Sequence, residues 1–167
     1  MKTEIEFLKI ISARYTKAFE RIIHVINQLD TPQIWDRPTN NSNSIGIIWQ
    51  HLEGNLNQWI CSGVGGETYE RKRSQEFKEI NQTTKKDILL SIESLRRKID
   101  NIISNVQSES LLFNRNIQGF DETVMSALIL ALTHLELHGG QIIYIGKMIL
   151  GDKYIETWKP ANKEQGK

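Results

Sequence analysis

The stretch from Thr123 to Gly151 reads TVMSALILALTHLELHGGQIIYIGKMILG, and it decides the fold class. Glu136 is the only formally charged residue in it before Lys147, so a helix formed here is apolar around nearly its whole circumference. Such a helix is expected to be buried on most sides. Asp121 or Thr123 can cap its start, and Gly151 stands where a helix-terminating glycine belongs. The stretch therefore predicts a long core helix.

Three other segments repeat their apolar residues every three or four positions, which is the spacing of one helix face. The stripes are Leu8, Ile11, Tyr15, Ala18, Ile22, Val25 and Leu29; Ile45, Ile48, Leu52, Leu56 and Trp59; and Ile88, Ile92, Leu95, Ile99, Ile102 and Val106. Ser42 or Ser44 can cap the second helix, and Thr84 with Asp87 resembles a capping box before the third. The pattern predicts four helices in all.

The segments between these stripes read as loops. Pro32 and Pro38 punctuate a polar connection in which no helix is expected, and no strand pattern competes anywhere in the sequence. We therefore predict an all-α four-helix bundle. Residues 1–151 form its single domain, and residues 152–167 form a polar tail with Trp158 as a candidate anchor.

The composition is that of a soluble globular protein. The chain has 167 residues, of which 25% are charged, and one domain takes about 150 residues. A net charge of +1 argues against nucleic acid or an anionic membrane as a partner, because both select clustered positive charge. The basic clusters at 71–73 and 96–98 are interspersed with acidic residues, which is typical of solvated faces.

The single cysteine and the N-terminal sequence exclude further classes of protein. Cys61 alone rules out an internal disulfide framework, and as a nucleophile it is disfavoured because no base is identifiable nearby. The N-terminus lacks the apolar stretch of a signal peptide, and the uncharged run 124–135 is too short to span a bilayer. We expect a cytoplasmic protein with no membrane partner.

Two of the four histidines, His134 and His138, lie four residues apart. On a helix this spacing places both imidazoles on one side, about 6 Å apart along the axis, so both can reach one metal ion. The alternative is a pair of core histidines bonded to the backbone. Glu136 lies about 200° round the helix from His134, so this is not the metalloprotease motif and Glu136 is not expected to act as its base.

His51 is the candidate third ligand. It lies about 60° round its predicted helix from Ile48, beside the apolar stripe, and so faces a groove between helices. His24 stands among charged residues on the first helix and is excluded. Gln141 shares the face of the histidine pair and is a candidate contact to a ligand histidine or a substrate. Three imidazoles leave coordination positions open, which is typical of catalytic metal sites.

Two segments resemble motifs of the DinB/YfiT-like family. Residues 37–59, RPTNNSNSIGIIWQHLEGNLNQW, resemble its first motif, with a histidine seven residues into a helix opened by serine. Residues 123–151 resemble its second motif, H-x-x-x-H-x-G-Q-I. The order and spacing of the predicted helices are similar to the family's from about residue 4 to residue 151.

The resemblance implies an up-down-down-up bundle with a divalent metal, often zinc or nickel, at His51, His134 and His138. It further implies activation of a low-molecular-weight thiol, which would make the protein a metal-dependent transferase acting on a small-molecule substrate. Two alternatives stay open: a metal-dependent hydrolase, and a non-catalytic metal-stabilised binding or stress-response module.

A homodimer is expected on two grounds. The resemblance implies it, and the fourth helix has more apolar circumference than three neighbours in one small bundle can cover. Glycines within this helix allow another backbone or a ligand to approach closely. These glycines are Gly139, Gly140 and Gly146.

Overall fold

The computed structural model describes residues 2–78 and 83–157, which fold mainly as helices. The α-helices are α1 (Lys2–Gln28), α2 (Thr31–Trp35), α3 (Ile45–Leu56), α4 (Arg73–Glu76), α5 (Lys85–Asn105) and α6 (Val124–Leu150). The chain continues from α3 in π-helical turns over Asn57–Val64, and short 3-10 segments span Ser108–Leu112 and Gly151–Lys153. Strands β1 (Asn114–Ile117) and β2 (Phe120–Thr123) form an antiparallel hairpin before α6.

The four long helices enclose one hydrophobic core. Helix α1 packs against α5 and α6, and α3 also packs against α6. The predicted stripes face this core, and its largest fully buried side chains include Phe19, Trp49, Leu52 and Ile92. The mainly helical architecture predicted from the periodicity is thus confirmed.

The predicted helix ends are also confirmed. Ser44 caps α3 by accepting a hydrogen bond from the backbone of Ile47, and Thr123 caps α6 in the same way. Thr84 and Asp87 form the predicted capping box at α5. Gly151 ends α6 with a φ of 53°, a value that favours glycine.

Several short elements contradict the prediction of plain loops, among them α4 and the 3-10 segment Ser108–Leu112. The hairpin of β1 and β2 turns at Gln118 and Gly119, both with positive φ, and of β1 only Ile117 is buried. Because no apolar alternation marks these strands, their sequence carries no strand signal. Helix α2 forms within the proline-punctuated segment, where Asp30 and Gln33 make a capping box and Pro32 lies in the first turn, a position that tolerates proline.

Helix α6 is less buried than its composition predicts, so the expectation of burial on most sides is wrong. It exposes a row of large apolar side chains, of which Leu137 is 63% and Tyr144 67% exposed. The row comprises Ile129, Leu130, Leu137, Tyr144 and Met148. By length and composition alone, Val124–Lys153 also meets the requirements of a membrane-spanning helix, as core helices of bundles commonly do.

The glycines of α6 have different surroundings. A Cβ added to Gly146 would lie 2.5 Å from Val25 Cγ1, so Gly146 allows α1 and α6 to approach within the same chain. A Cβ on Gly139 would make ordinary contact with Ile22, and one on Gly140 would meet nothing within 4 Å. Close approach at Gly146 is therefore explained by α1.

The first part of the predicted polar tail lies against α1. The backbone N–H of Ile155 donates to Gln28 Oε1 at 2.7 Å, and Lys147 pairs with Glu156 at 2.6 Å. Trp158, the candidate anchor, lies outside the described residues. These contacts attach the chain to the bundle as far as residue 156.

Candidate metal centre

Three histidines from two helices converge at one point of the bundle. His51 comes from α3, and His134 and His138 come from successive turns of α6. One ring nitrogen of each lies within 4.8 Å of the others, and Nε2 of His51 is 2.9 Å from Nε2 of His134. The ring centroids are 4.5 to 5.1 Å apart. The sequence prediction that these three side chains meet is confirmed.

The burial of the neighbouring residues explains this convergence. His51 stands next to Leu52, which is fully buried, and His134 stands next to Leu135, which is also fully buried. Since these apolar neighbours fix the rotation of α3 and α6, the histidines are held at the edge of the α3–α6 contact. His51 is buried, whereas His134 and His138 are half-buried, so the cluster is open to solvent on one side.

Behind His51 lies a buried ion pair from the segment that connects α3 to α5. Glu76 Oε2 is 2.9 Å from Nδ1 of His51. Arg71 holds the same carboxylate with two hydrogen bonds, from Nε to Oε1 at 2.6 Å and from Nη2 to Oε2 at 2.8 Å. The Arg71 and Glu76 side chains are 6% and 9% exposed. Glu76 is therefore fixed in place to accept the Nδ1 proton of His51.

Gly54 provides the space for this carboxylate. A Cβ added to Gly54 would lie 2.3 Å from Glu76 Oε1, so a larger residue would displace Glu76 from α3. Phe77, which follows Glu76 in the chain, places its ring 5.1 Å from the His51 ring and covers part of that ring. The connecting segment thus forms one wall of the site.

Sequence reasoning missed this wall. The sequence predicts a solvated face at 71–73, and for Arg71 this prediction is wrong, because its side chain is buried against Glu76. Glu76 lies 25 positions from His51 in a segment without helical periodicity, so no spacing rule connects the two. The sequence indicates this segment only by its length and charge, since the connection between the second and third predicted helices is longer and more charged than a turn requires.

Gln141 contacts the third histidine. Its Oε1 lies 2.7 Å from Nδ1 of His138, one helical turn earlier on α6. With their Nδ1 protons donated to Gln141 and Glu76, His138 and His51 each keep an unprotonated Nε2. Both rings are therefore prepared to ligate through that nitrogen.

The electrostatics favour the neutral imidazoles of His51 and His134, and the neutral form is the one that binds metals. Burial lowers the pKa of His134 to about 4, with further lowering by His138, His51 and the arginines Arg71 and Arg73. Burial also lowers the pKa of His51, and this effect exceeds the opposing influence of Glu76. For Glu76, burial would raise the pKa, but hydrogen bonds from Arg71 and His51 keep it below its ordinary value.

The donor set fits a small divalent ion. Imidazole nitrogens bind tetrahedral zinc at about 2.0–2.1 Å, which places two ligand nitrogens about 3.3 Å apart. The 2.9 Å between the Nε2 atoms of His51 and His134 therefore needs only a small opening to receive an ion. Neutral nitrogen ligands suit zinc, nickel, copper and iron.

The remaining candidate residues lie outside this cluster. His24 Nε2 contacts the backbone oxygen of Ile155 at 2.7 Å, and Glu136 pairs with Arg21 at 2.8 Å. Burial raises the pKa of Cys61 to about 12, which keeps its thiol protonated and poorly nucleophilic at neutral pH.

Comparisons with known proteins agree with this architecture. A family model described as "Protein of unknown function (DUF1572)" matches residues 2–163. A conserved protein from Enterococcus faecalis has a similar fold, with a TM-score of 0.70 and 14% identity over 86% of this chain and 96% of that one.

Two further solved structures are described as DinB-like proteins. The Bacillus cereus protein has a TM-score of 0.67 and 16% identity, over 85% of this chain and 89% of that one. The Bacillus subtilis protein has a TM-score of 0.65 and 14% identity, over 83% and 91%. No functionally curated protein matches the chain significantly.

Proposed function

We propose that this chain, which belongs to the DUF1572 family and has the fold of DinB-like proteins, is a metal-dependent thiol transferase of the DinB/YfiT-like superfamily. In this proposal His51, His134 and His138 hold one divalent ion, zinc or nickel. The observation that carries it is the convergence of three imidazole nitrogens within 4.8 Å at a site open on one side. The same relationship supports an up-down-down-up order of the four long helices.

His51, His134 and His138 would hold the divalent ion, which would supply Lewis acidity that lowers the pKa of a thiol substrate toward neutral pH. The protein's own residues orient the ligands. Glu76 fixes the ring of His51 through Nδ1, and Gln141 does the same for His138. Phe77 restricts the access of water to one side of His51.

A thiol is favoured over water as the nucleophile, because the nearby carboxylates are already paired and cannot serve as a general base for water. Among the described residues, Glu76 uses both oxygens for Arg71 and His51, and Glu136 pairs with Arg21. Neither is placed to act as a general base beside the metal. A free thiol has a pKa of about 8.5, against about 15.7 for water, so it needs far less help to ionise.

The test is a panel of thiols with an electrophilic chromogenic reporter. Bacillithiol, mycothiol, glutathione and cysteine are each assayed with zinc-loaded, nickel-loaded and metal-free protein. We expect at least one thiol to react faster with a metal-loaded form than with the metal-free form. If no thiol responds and ester or amide reporters are hydrolysed instead, the protein is a hydrolase. A chain that binds metal without either activity would be a binding module.

We also propose a homodimer formed through the exposed apolar row of α6. Five large apolar side chains, Ile129, Leu130, Leu137, Tyr144 and Met148, lie uncovered on this helix. Contiguous apolar patches of this kind commonly mark interfaces between subunits. Multi-angle light scattering at tens of micromolar protein should give twice the mass of the 19.3 kDa chain, and a mass of one chain would contradict the proposal.

A further inference from the structure

A groove of about 610 Å³ opens between α6 and the loop that precedes α3. Its volume lies within the roughly 300–1,000 Å³ typical of small-molecule pockets. Ile48 and Ile145 form apolar parts of the lining, and Ser42, Asn43, Gln141 and Tyr144 add uncharged polar groups. The groove is therefore large enough to hold part of a small ligand.

This groove continues from the three-histidine site. Ile48 lies about one turn before His51 on α3, and Gln141 lies about one turn after His138 on α6. Gln141 contacts His138 directly and also lines the groove. Two other grooves, of about 650 and 550 Å³, are lined by no residue that contacts a histidine of the site.

The lining determines what the groove can bind. None of its side chains carries a formal charge, and the apolar ones predominate. A charged ligand group would lose its hydration here without gaining an ionic partner, whereas alkyl or aryl groups would gain from leaving water. Amides and hydroxyls at the edge can accept or donate single hydrogen bonds to a neutral polar group.

We propose that this groove binds the uncharged, mainly apolar part of the electrophilic substrate, whose reacting end lies at the three histidines. The inference rests on the proposed metal site, because the groove is assigned by its continuity with that site. It predicts a substrate that is elongated and neutral along its tail. Three residues of the lining, Leu137, Tyr144 and Met148, also belong to the apolar row of α6, so the oligomeric state has to be measured alongside binding.

Gly140 provides a substitution that fills the groove. It lines the groove, and a Cβ added there would meet no atom within 4 Å. The Gly140→Phe variant therefore places a large side chain in or across the groove, with free space around its Cβ. Gly140→Ala is the matched control, because it removes the helix glycine and leaves the groove open.

The probes are n-alkyl hydroxamic acids, which chelate a divalent ion through the same head group whatever their chain length. Acetyl, butanoyl, hexanoyl and octanoyl hydroxamates, with an ω-carboxylate analogue of the hexanoyl compound, are titrated into cobalt-loaded protein. Binding is followed by the visible absorption of the cobalt ion. We expect affinity to rise about two- to fourfold per added methylene in the wild type and in Gly140→Ala. The carboxylate analogue should lose most of this gain.

The Gly140→Phe variant should bind acetohydroxamate like the wild type but show an affinity that hardly changes with chain length. A flat series in the wild type, with acetohydroxamate bound normally, would overturn the inference and leave the metal site intact. Failure to bind cobalt would overturn the proposed function and the inference with it. If Gly140→Phe changes the mass in light scattering while the chain-length dependence stays as in the wild type, the groove belongs to a subunit interface, which also overturns the inference.

Discussion

Replacing Glu76 with glutamine should weaken metal binding at the three histidines about tenfold. Glu76 Oε2 accepts the Nδ1 proton of His51 at 2.9 Å, and a carboxylate in this position both orients the ring and makes Nε2 a stronger donor. Removing such a partner typically costs 10- to 100-fold in metal affinity. Glutamine keeps a neutral acceptor of the same shape, so the lower value applies. Glu76→Ala removes the acceptor altogether and should approach the upper value.

The buried partner Arg71 affects the same experiment. Its side chain is 6% exposed and would lose the carboxylate that neutralises it. Breaking a buried ion pair in this way costs about 3–5 kcal/mol of folding stability. The unpaired guanidinium, whose Nη2 is 3.3 Å from Nδ1 of His51, would also repel a cation. The double variant Arg71→Gln/Glu76→Gln removes both charges and so separates this repulsion from the loss of the His51 contact.

The assay is competition for zinc against a chromophoric chelator, at a temperature well below the unfolding transition of each variant. The matched control is Glu93→Gln on α5, where the carboxylate is held by Arg96 and Arg97 and is not among the residues that contact the histidines. We expect wild-type affinity in the control and a loss in the single and double Glu76 variants. Wild-type affinity in Glu76→Ala, or recovery in the double variant, would refute the orienting role of Glu76.

Two further predictions concern the core. Burial raises the pKa of the Cys61 thiol to about 12. Iodoacetamide at pH 8 should therefore alkylate Cys61 far more slowly in the folded protein than in protein unfolded in guanidinium, as measured by mass spectrometry. Equal rates in the two states would contradict the burial of Cys61. Ile92→Ala should lower the free energy of unfolding by about 2–5 kcal/mol, because Ile92 is fully buried. Leu90→Ala, on the exposed face of α5, should lower it much less. Equal losses in urea titrations would refute the placement of Ile92 on the core-facing side of α5.

The helices could be predicted because their stripes and caps are local signals. The stripe through Ile88, Ile92 and Ile99 and the capping box at Thr84 specify α5 from residues a few positions apart. The cluster of three histidines was also predictable in part, since helical phase places His134 and His138 on one face. The link to His51 drew on the phase of a second helix and on a family resemblance.

The wall behind His51 could not be predicted in this way. The contact between Glu76 and His51 depends on how an irregular connecting segment folds back on α3, and that path is set by tertiary contacts. One of these contacts is the packing of Glu76 against Gly54, where a side chain would leave no room for the carboxylate. Nothing in the sequence around Gly54 indicates that Glu76 lies beside it. Charged residues in a loop are usually solvated, so Arg71 looked like an ordinary surface residue.

The exposure of α6 escaped prediction for a related reason. Apolar composition shows that a helix has partners, but not whether they belong to the same chain. Leu137 and Tyr144 lie on the side that α1 and α3 do not cover, and both are more than 60% exposed. The hairpin of β1 and β2 was missed because only Ile117 of β1 is buried and no alternation results.

The central claim is that His51, His134 and His138 act as one metal site, and elemental analysis of the untagged protein tests it most directly. The wild type and four single alanine variants, one at each histidine, are purified in parallel and checked for folding by circular dichroism. We predict about one divalent ion per chain in the wild type and in His24→Ala, and strong depletion in the other three variants. Full retention of metal by a folded His51→Ala variant would contradict the account, because the site would then reduce to the pair on α6.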